Sequence, residues 1–282
     1  MNFVPMAELF GDALRRGYAV PSFCIWNAET ANTVLRVAQK CRAPVMLMTG
    51  PGELLLSYGA LADTARALAA RYDVPAALLL DHGNSIEAVE ACLAAGFTSV
   101  MLDYSTRPLD ENVAALKQVV ALARPRGVTV EGEIGAVGRV DEMTGEGKGH
   151  TALTDPDQAR AYVEATHVDC LAISFGNLHG NYKLPPKFDF DLLAKLRDAA
   201  GVPLVLHGGS GTPPDQLARA ISLGIAKVNV ASELNKALRE TLVERWSAGE
   251  KLWVPSALHE GMDAFAAAVE KWIHLTGAEG KA

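Results

Sequence analysis

Three histidines stand just past three apolar runs: His82 after Ala76–Leu80, His179 after Leu171–Ile173, and His207 after Pro203–Leu206. A glycine follows each at once, in Asp81-His82-Gly83, His179-Gly180 and His207-Gly208-Gly209-Ser210-Gly211. Imidazoles at three strand ends, with small residues beside them, suit a zinc ion held by three nitrogens with its fourth position open. Neutral ligands would leave that cation its full charge and make it a strong Lewis acid for a carbonyl oxygen. Asp81, beside the first histidine, adds a group able to give or take a proton. Together they suit enolate chemistry, in which charge developing on oxygen is met directly by the cation. Asp103 and Glu133 could orient the imidazoles or hold a second metal position. A lone histidine would read as a satisfied loop residue; three, each followed by glycine, read as ligands.

Such residues must be positioned by regular elements. Apolar, β-rich runs at 19–25, 44–49, 76–80, 98–102, 128–133, 169–173, 203–206 and 225–230 alternate with amphipathic stretches. These stretches include Ala28–Lys40, Ile86–Ala95, Leu109–Ala123, Pro156–Thr166, Phe190–Ala199 and Pro213–Leu223. Glycines at Gly96, Gly201 and Gly224 end helices just before strands. Eight strand–helix units predict an α/β fold of the (β/α)8 barrel type, a TIM barrel, with 1–282 as one domain. A helical extension is expected at about 257–276, with an apolar face for the barrel or for a partner. A doubly wound sheet is disfavoured because Trp26-Asn27-Ala28-Glu29-Thr30, after the first strand, holds no glycine for a phosphate turn. Thr144–Gly149 is not a Walker loop, since Gly149 stands where Ser or Thr is required, and it reads as a mobile loop. Barrel enzymes place their chemistry at the C-terminal strand ends, where nearly every run here delivers a polar residue.

The chain has 282 residues, 49% of them hydrophobic, which is ample for one large core. A net charge of −7 and the lack of any basic run argue against nucleic acid. No apolar run approaches the ~20 residues of a membrane span, and Met1–Pro5 opens no secretion signal. Cys24, Cys41, Cys92 and Cys170 form no C-x-x-C pair and read as reduced thiols of a cytoplasmic protein. Gly208–Gly211 before Pro213, and Asn229–Ser232 before the next helix, place backbone N–H groups at helix starts, a ready phosphate cradle. An ordinary glycine turn with Ser232 as a cap would use the same donors.

The segments Leu80-Asp81-His82, Gly96–Asp103, Glu131-Gly132-Glu133-Ile134-Gly135, Thr154-Asp155-Pro156, Gly176–Gly180, Leu204–Gly211 and Lys227–Leu234 run in an ordered series. With them, and with the tail Gly277–Ala282, the chain resembles the class II, metal-dependent fructose/tagatose-bisphosphate aldolases over nearly its whole length. The resemblance implies reversible retro-aldol cleavage of a ketose (bis)phosphate to dihydroxyacetone phosphate and an aldehyde. It implies zinc on His82, His179 and His207, with Asp103 and Glu133 at an alternative metal site. Asp81 would deprotonate the hydroxyl in cleavage and protonate the aldehyde oxygen in condensation. Gly180, Gly208, Gly209, Ser210, Asn229, Val230, Ala231 and Ser232 would hold the triose phosphate, with a monovalent cation (Na+ or K+) nearby. A dimer or tetramer is implied as well.

Departures from the family pattern cluster where the aldehyde would lie. The first strand ends Phe23-Cys24, with Trp26 following, in place of the family's Phe-Asn; the second ends Met48-Thr49-Gly50. After Asp103 stands Tyr104-Ser105-Thr106 in place of Gly-Ser-His. In the mobile loop Arg139 follows Gly138, and Asp141, with Glu142 beside it, takes the place of the glutamate that moves the carbon-bound proton. Either the loop closes further, or Glu142 acts, or the reaction differs. Arg139 reads equally as a solvated charge or as a contact to an anionic group. Cys24, Trp26 and Arg139 are the specificity candidates, and the expected substrate is a ketose phosphate other than fructose 1,6-bisphosphate. The rivals are a Schiff-base aldolase using Lys227 (a lysine that reads better as a structural partner for rim carboxylates), another zinc lyase or isomerase of a phosphorylated sugar, and a non-catalytic sugar-phosphate sensor.

Overall fold

The computed structural model describes all residues except Met1, Asn2, Tyr58, 141–146, 149–151, Lys183 and 249–252. Eight parallel strands close a barrel: β1 (Val20–Cys24), β2 (Val45–Thr49), β3 (Ala76–Gly83), β4 (Ser99–Leu102), β5 (Thr129–Ile134), β6 (Cys170–Ile173), β7 (Leu204–Leu206) and β8 (Ile225–Val230). Closure comes from β1, which pairs with β2 through Ser22 and Met46 and with β8 through Phe23 and Val230. Strands with the interior on one face and helices on the other bury both faces, so they read as unbroken apolar runs. Val45–Thr49 and Leu204–Leu206 are buried at every position.

The helices are α1 (Ala7–Arg16), α2 (Ala28–Cys41), α3 (Pro51–Leu56), α4 (Leu61–Ala69), α5 (Ile86–Ala94), α6 (Leu109–Ala123), α7 (Pro156–Thr166), α8 (Phe190–Ala200), α9 (Pro214–Ser222), α10 (Ser232–Ser247) and α11 (Val254–Leu275). Caps set several starts. Asn27 accepts from Thr30 N at 2.9 Å ahead of α2, and Asp155 accepts from Gln158 N at 2.9 Å with Pro156 opening α7. The expected strands and helices fall within a residue or two of these bounds, with two exceptions. The tail helix α11 starts at Val254, three residues before the expected 257. β3 continues through His82 to Gly83, where a run ending at Leu80 was expected.

The segment before β1 closes the barrel end away from the histidines. Val4 N donates to Ala76 O, Met6 N to Ser99 Oγ and Ala7 N to Thr129 Oγ1, all at strand starts. The tail helix α11 packs on α10 and α2, burying Phe265, Val269, Trp272 and Ile273. The open rim at the strand C-termini is left for chemistry.

Candidate active site

Residue Asp81 and His82 reach the rim because β3 breaks register between Leu80 and Gly83, with His82 at φ +48°. A non-glycine residue in that region costs about 1–3 kcal/mol and persists where its surroundings fix it. Asp103 does so: its Oδ2 lies 2.7 Å from His82 Nδ1, while its Oδ1 accepts from Ser105 N and Oγ. In β5 the period of two turns Glu131 and Glu133 into the barrel and sends Gly132 outward. A Cβ on Gly132 would sit 2.8 Å from the Tyr162 ring, so only glycine lets α7 pack this close.

The three imidazoles meet with ring centroids 4.7–5.7 Å apart. Each is held at one nitrogen. Asp103 takes Nδ1 of His82, Val137 O accepts from His179 Nδ1 at 3.2 Å, and Glu131 Oε1 accepts from His207 Nε2 at 2.8 Å. These bonds fix the tautomers and turn the opposite nitrogens, Nε2 of His82, Nε2 of His179 and Nδ1 of His207, toward one point. The ligand atoms of the trio lie within 4.8 Å of one another. His179 Nε2 is buried without a hydrogen-bond partner, a cost of about 1–3 kcal/mol that a divalent cation would remove, and His207 Nδ1 faces only Glu133 Oε2, at 3.2 Å. The residues fit zinc. Asp103 and Glu133 form a second cluster with His82 within the same distance, although both Asp103 oxygens are already engaged.

Glu131 was not singled out from the sequence. Its second oxygen accepts from Lys227 Nζ at 2.7 Å, and Lys227, Glu131 and His207 are all fully buried. The signal was there, since Glu131 shares a face with Glu133 and Lys227 reads as a partner for rim carboxylates, but nothing in the sequence says which carboxylate it takes. Burial depresses His179 to about 3, aided by the neighbouring His82 and His207. Burial also works against protonated His207, but the carboxylates of Glu131 and Glu133 outweigh it and raise the ring to about 10. Metal-free His207 therefore holds a proton at neutral pH that a metal must displace. Titrating zinc into the metal-free protein at pH 7 should release about one proton per site from this ring, read by calorimetry in buffers of differing ionisation enthalpy. No buffer dependence would contradict it.

A cavity of about 350 Å³ opens above the trio. One wall is Gly180, Gly208, Ser210, Ala231 and Ser232; another is Cys24, Met48, Gly50, Pro51 and Glu53. Gly208 has φ +68°, and a Cβ there would lie 2.0 Å from Leu178 O, so the turn admits glycine alone. Ser210 Oγ accepts from Glu233 N at the start of α10. Asn229 Nδ2 donates to Asp81 Oδ1 at 2.9 Å. Gly209 and Val230 stand behind the wall, Gly209 N donating to Asn229 O and Val230 fully buried. Arg139 lines the cavity from the loop that braces His179, whose N donates to Gly138 O at 2.7 Å. Trp26 is turned away, meeting Phe265 of α11 edge-on at 5.8 Å rather than lining the described cavity wall. Asp141 and Glu142 lie outside the described residues.

Residues 4–281 match the family described as Fructose-bisphosphate aldolase class-II. The chain belongs to this family. It is 39% identical to a fructose-bisphosphate aldolase of Geobacillus stearothermophilus, over 100% of this chain and 99% of that protein. The structure of the YdjI aldolase from Escherichia coli K12 superposes with a TM-score of 0.88 at 33% identity, covering 99% of both chains. A fructose-bisphosphate aldolase from Campylobacter jejuni, at 22% identity, shares the fold with a TM-score of 0.82 over 100% of this chain and 97% of that one. As a class II aldolase the protein is a carbon–carbon lyase of a zinc-dependent family, and this sets aside the sensor reading. The Schiff-base reading fails as well, since Lys227 has no exposed surface and its amine is committed to Glu131. Among the described residues no helix is long and apolar enough to cross a membrane.

Proposed function

We propose that the protein reversibly cleaves a ketose phosphate to dihydroxyacetone phosphate and an aldehyde, with zinc on His82, His179 and His207. The observation that carries this is the convergence of three ring nitrogens within 4.8 Å of one another, beside Asp81. Zinc there supplies the Lewis acidity that offsets negative charge gathering on the ketose oxygens as the bond breaks. Asp81 takes the proton of the hydroxyl that becomes the aldehyde oxygen. In the metal-free protein burial alone would raise its carboxyl, but His82, His207 and Lys227 hold it below the ordinary range, and a cation held by the trio would act on it in the same direction. Asn229 fixes its orientation through Oδ1. The electron pair of the broken bond stays on the triose carbon, which then gains a proton; Asp141 and Glu142 are the candidate donors. The phosphate lies against the N–H groups of Gly180, Gly208 and Ser210 and the first turn of α10, where a helix N-terminus favours an anion, with Arg139 near.

On the resemblance, a sodium or potassium ion beside the phosphate and a dimeric or tetrameric assembly complete the reading. Four buried free cysteines suit a cytoplasmic setting. The test is Asp81→Ala, which should lower kcat by about 10²–10⁴-fold while zinc content by metal analysis stays unchanged. Unchanged turnover would remove Asp81 from the mechanism.

A further inference from the structure

Glu53 belongs to none of the motifs above, yet it lines the cavity. It sits in the first turn of α3, where its Oε2 accepts from Gly50 N at 3.1 Å. Its Oε1 lies 3.9 Å from Cys24 Sγ. Cys24 stays a neutral thiol, because burial and then the charges of Glu53 and Asp81 push it well above its ordinary range. It can therefore donate to Glu53 and keep the carboxylate in place.

This wall adjoins the base: a Cβ on Gly50 would lie 3.4 Å from Asp81 O. Arg139, the one arginine or lysine among the described residues around the cavity, stands instead with His179, to which its backbone is bridged, beside Gly180. The cavity lining is thus mixed in charge, with glycines and a guanidinium from the loops after β5, β6 and β7, a carboxylate from α3 and a thiol from the end of β1. Asp81 works on the carbon that becomes the aldehyde, so the aldehyde half extends toward the carboxylate.

Building on the aldolase reading, we propose that Glu53 selects that half: it accepts hydrogen bonds from the hydroxyls of the aldehyde and repels a terminal phosphate, making ketose 1-phosphates the substrate class in preference to ketose 1,6-bisphosphates. A hydroxyl donates readily to a carboxylate. A phosphate dianion offers no proton and brings like charge close to the carboxylate, so the site discriminates by repulsion as well as by attraction.

The experiment is retro-aldol kinetics of the zinc-loaded enzyme on fructose 1-phosphate against fructose 1,6-bisphosphate, and on the corresponding tagatose pair, for wild type and Glu53→Gln. Glutamine keeps an oxygen for Gly50 N, and a thermal melt checks that the variant is folded. The wild type should favour a 1-phosphate by at least about tenfold in kcat/KM, and Glu53→Gln should reduce that ratio at least about tenfold by raising activity on the bisphosphate. A wild-type ratio near or below one overturns the proposal, as does a ratio that Glu53→Gln leaves in place. No cleavage of any of the four by enzyme with a full zinc complement would instead overturn the aldolase reading beneath it.

Discussion

Replacing His179 by alanine should strip the protein of zinc and lower turnover at least about 10³-fold, since the Lewis acid contributes several kcal/mol. The substitution removes one of three nitrogens that converge within 4.8 Å. It also removes the bond from the ring to Val137 O, one of the contacts that tie the Arg139 loop to this wall. The backbone bond from His179 N to Gly138 O survives, so the loop should stay in place and the loss should be one of metal. Metal analysis after dialysis, alongside the retro-aldol assay, separates these effects. Retained zinc with retained turnover would show that His179 is not a ligand.

How much of this was legible in the sequence depends on what kind of information each feature needs. The eight strands were readable because a barrel strand buried on both faces is an unbroken apolar run, and glycines mark the entries to β4, β7 and β8. The ligand histidines were readable because each stands just past such a run. The continuation of β3 was not, because a histidine at positive φ leaves no trace in composition. The short helices α3 and α4 were missed for a related reason: Gly50-Pro51-Gly52 has the composition of a loop, and a proline at N1 together with the side chain of Glu53 makes it a helix start. Glu53 was hidden with it. Trp26 was misplaced because closeness in sequence to a strand end does not say which way a side chain turns. Here the indole found Phe265, over two hundred residues away in the chain. The partnership of Lys227 with Glu131 joins strands whose neighbours are known only once the barrel is closed.

That partnership sets the second large effect. Lys227→Met should destabilise the protein by about 3–5 kcal/mol, because it leaves the Glu131 carboxylate fully buried with its cation gone. At roughly 2–4 °C per kcal/mol for a chain of this size, the melting midpoint should fall by about 10 °C. Acidity should sharpen the loss. Burial alone would push Glu131 upward, and Lys227 followed by His207 holds it below its ordinary 4.5. A carboxyl depressed by folding stabilises at pH above its unfolded value, and that contribution fades as pH drops through the folded value. Without Lys227 the folded value rises, so acid destabilisation should begin at higher pH than in the wild type. Zinc should weaken too. A protonated Glu131 can donate to His207 Nε2 and drive the ring proton to Nδ1, the nitrogen a metal needs, and lost support of a ligand typically costs about 10–100-fold in affinity. Glu131→Gln in the Lys227→Met background removes the stranded charge and should recover much of the midpoint without restoring zinc affinity. Thermal melts of metal-free and zinc-loaded protein between about pH 4 and 8 test this, and a Lys227→Met midpoint equal to the wild type across that range would show that the buried pair carries no such load.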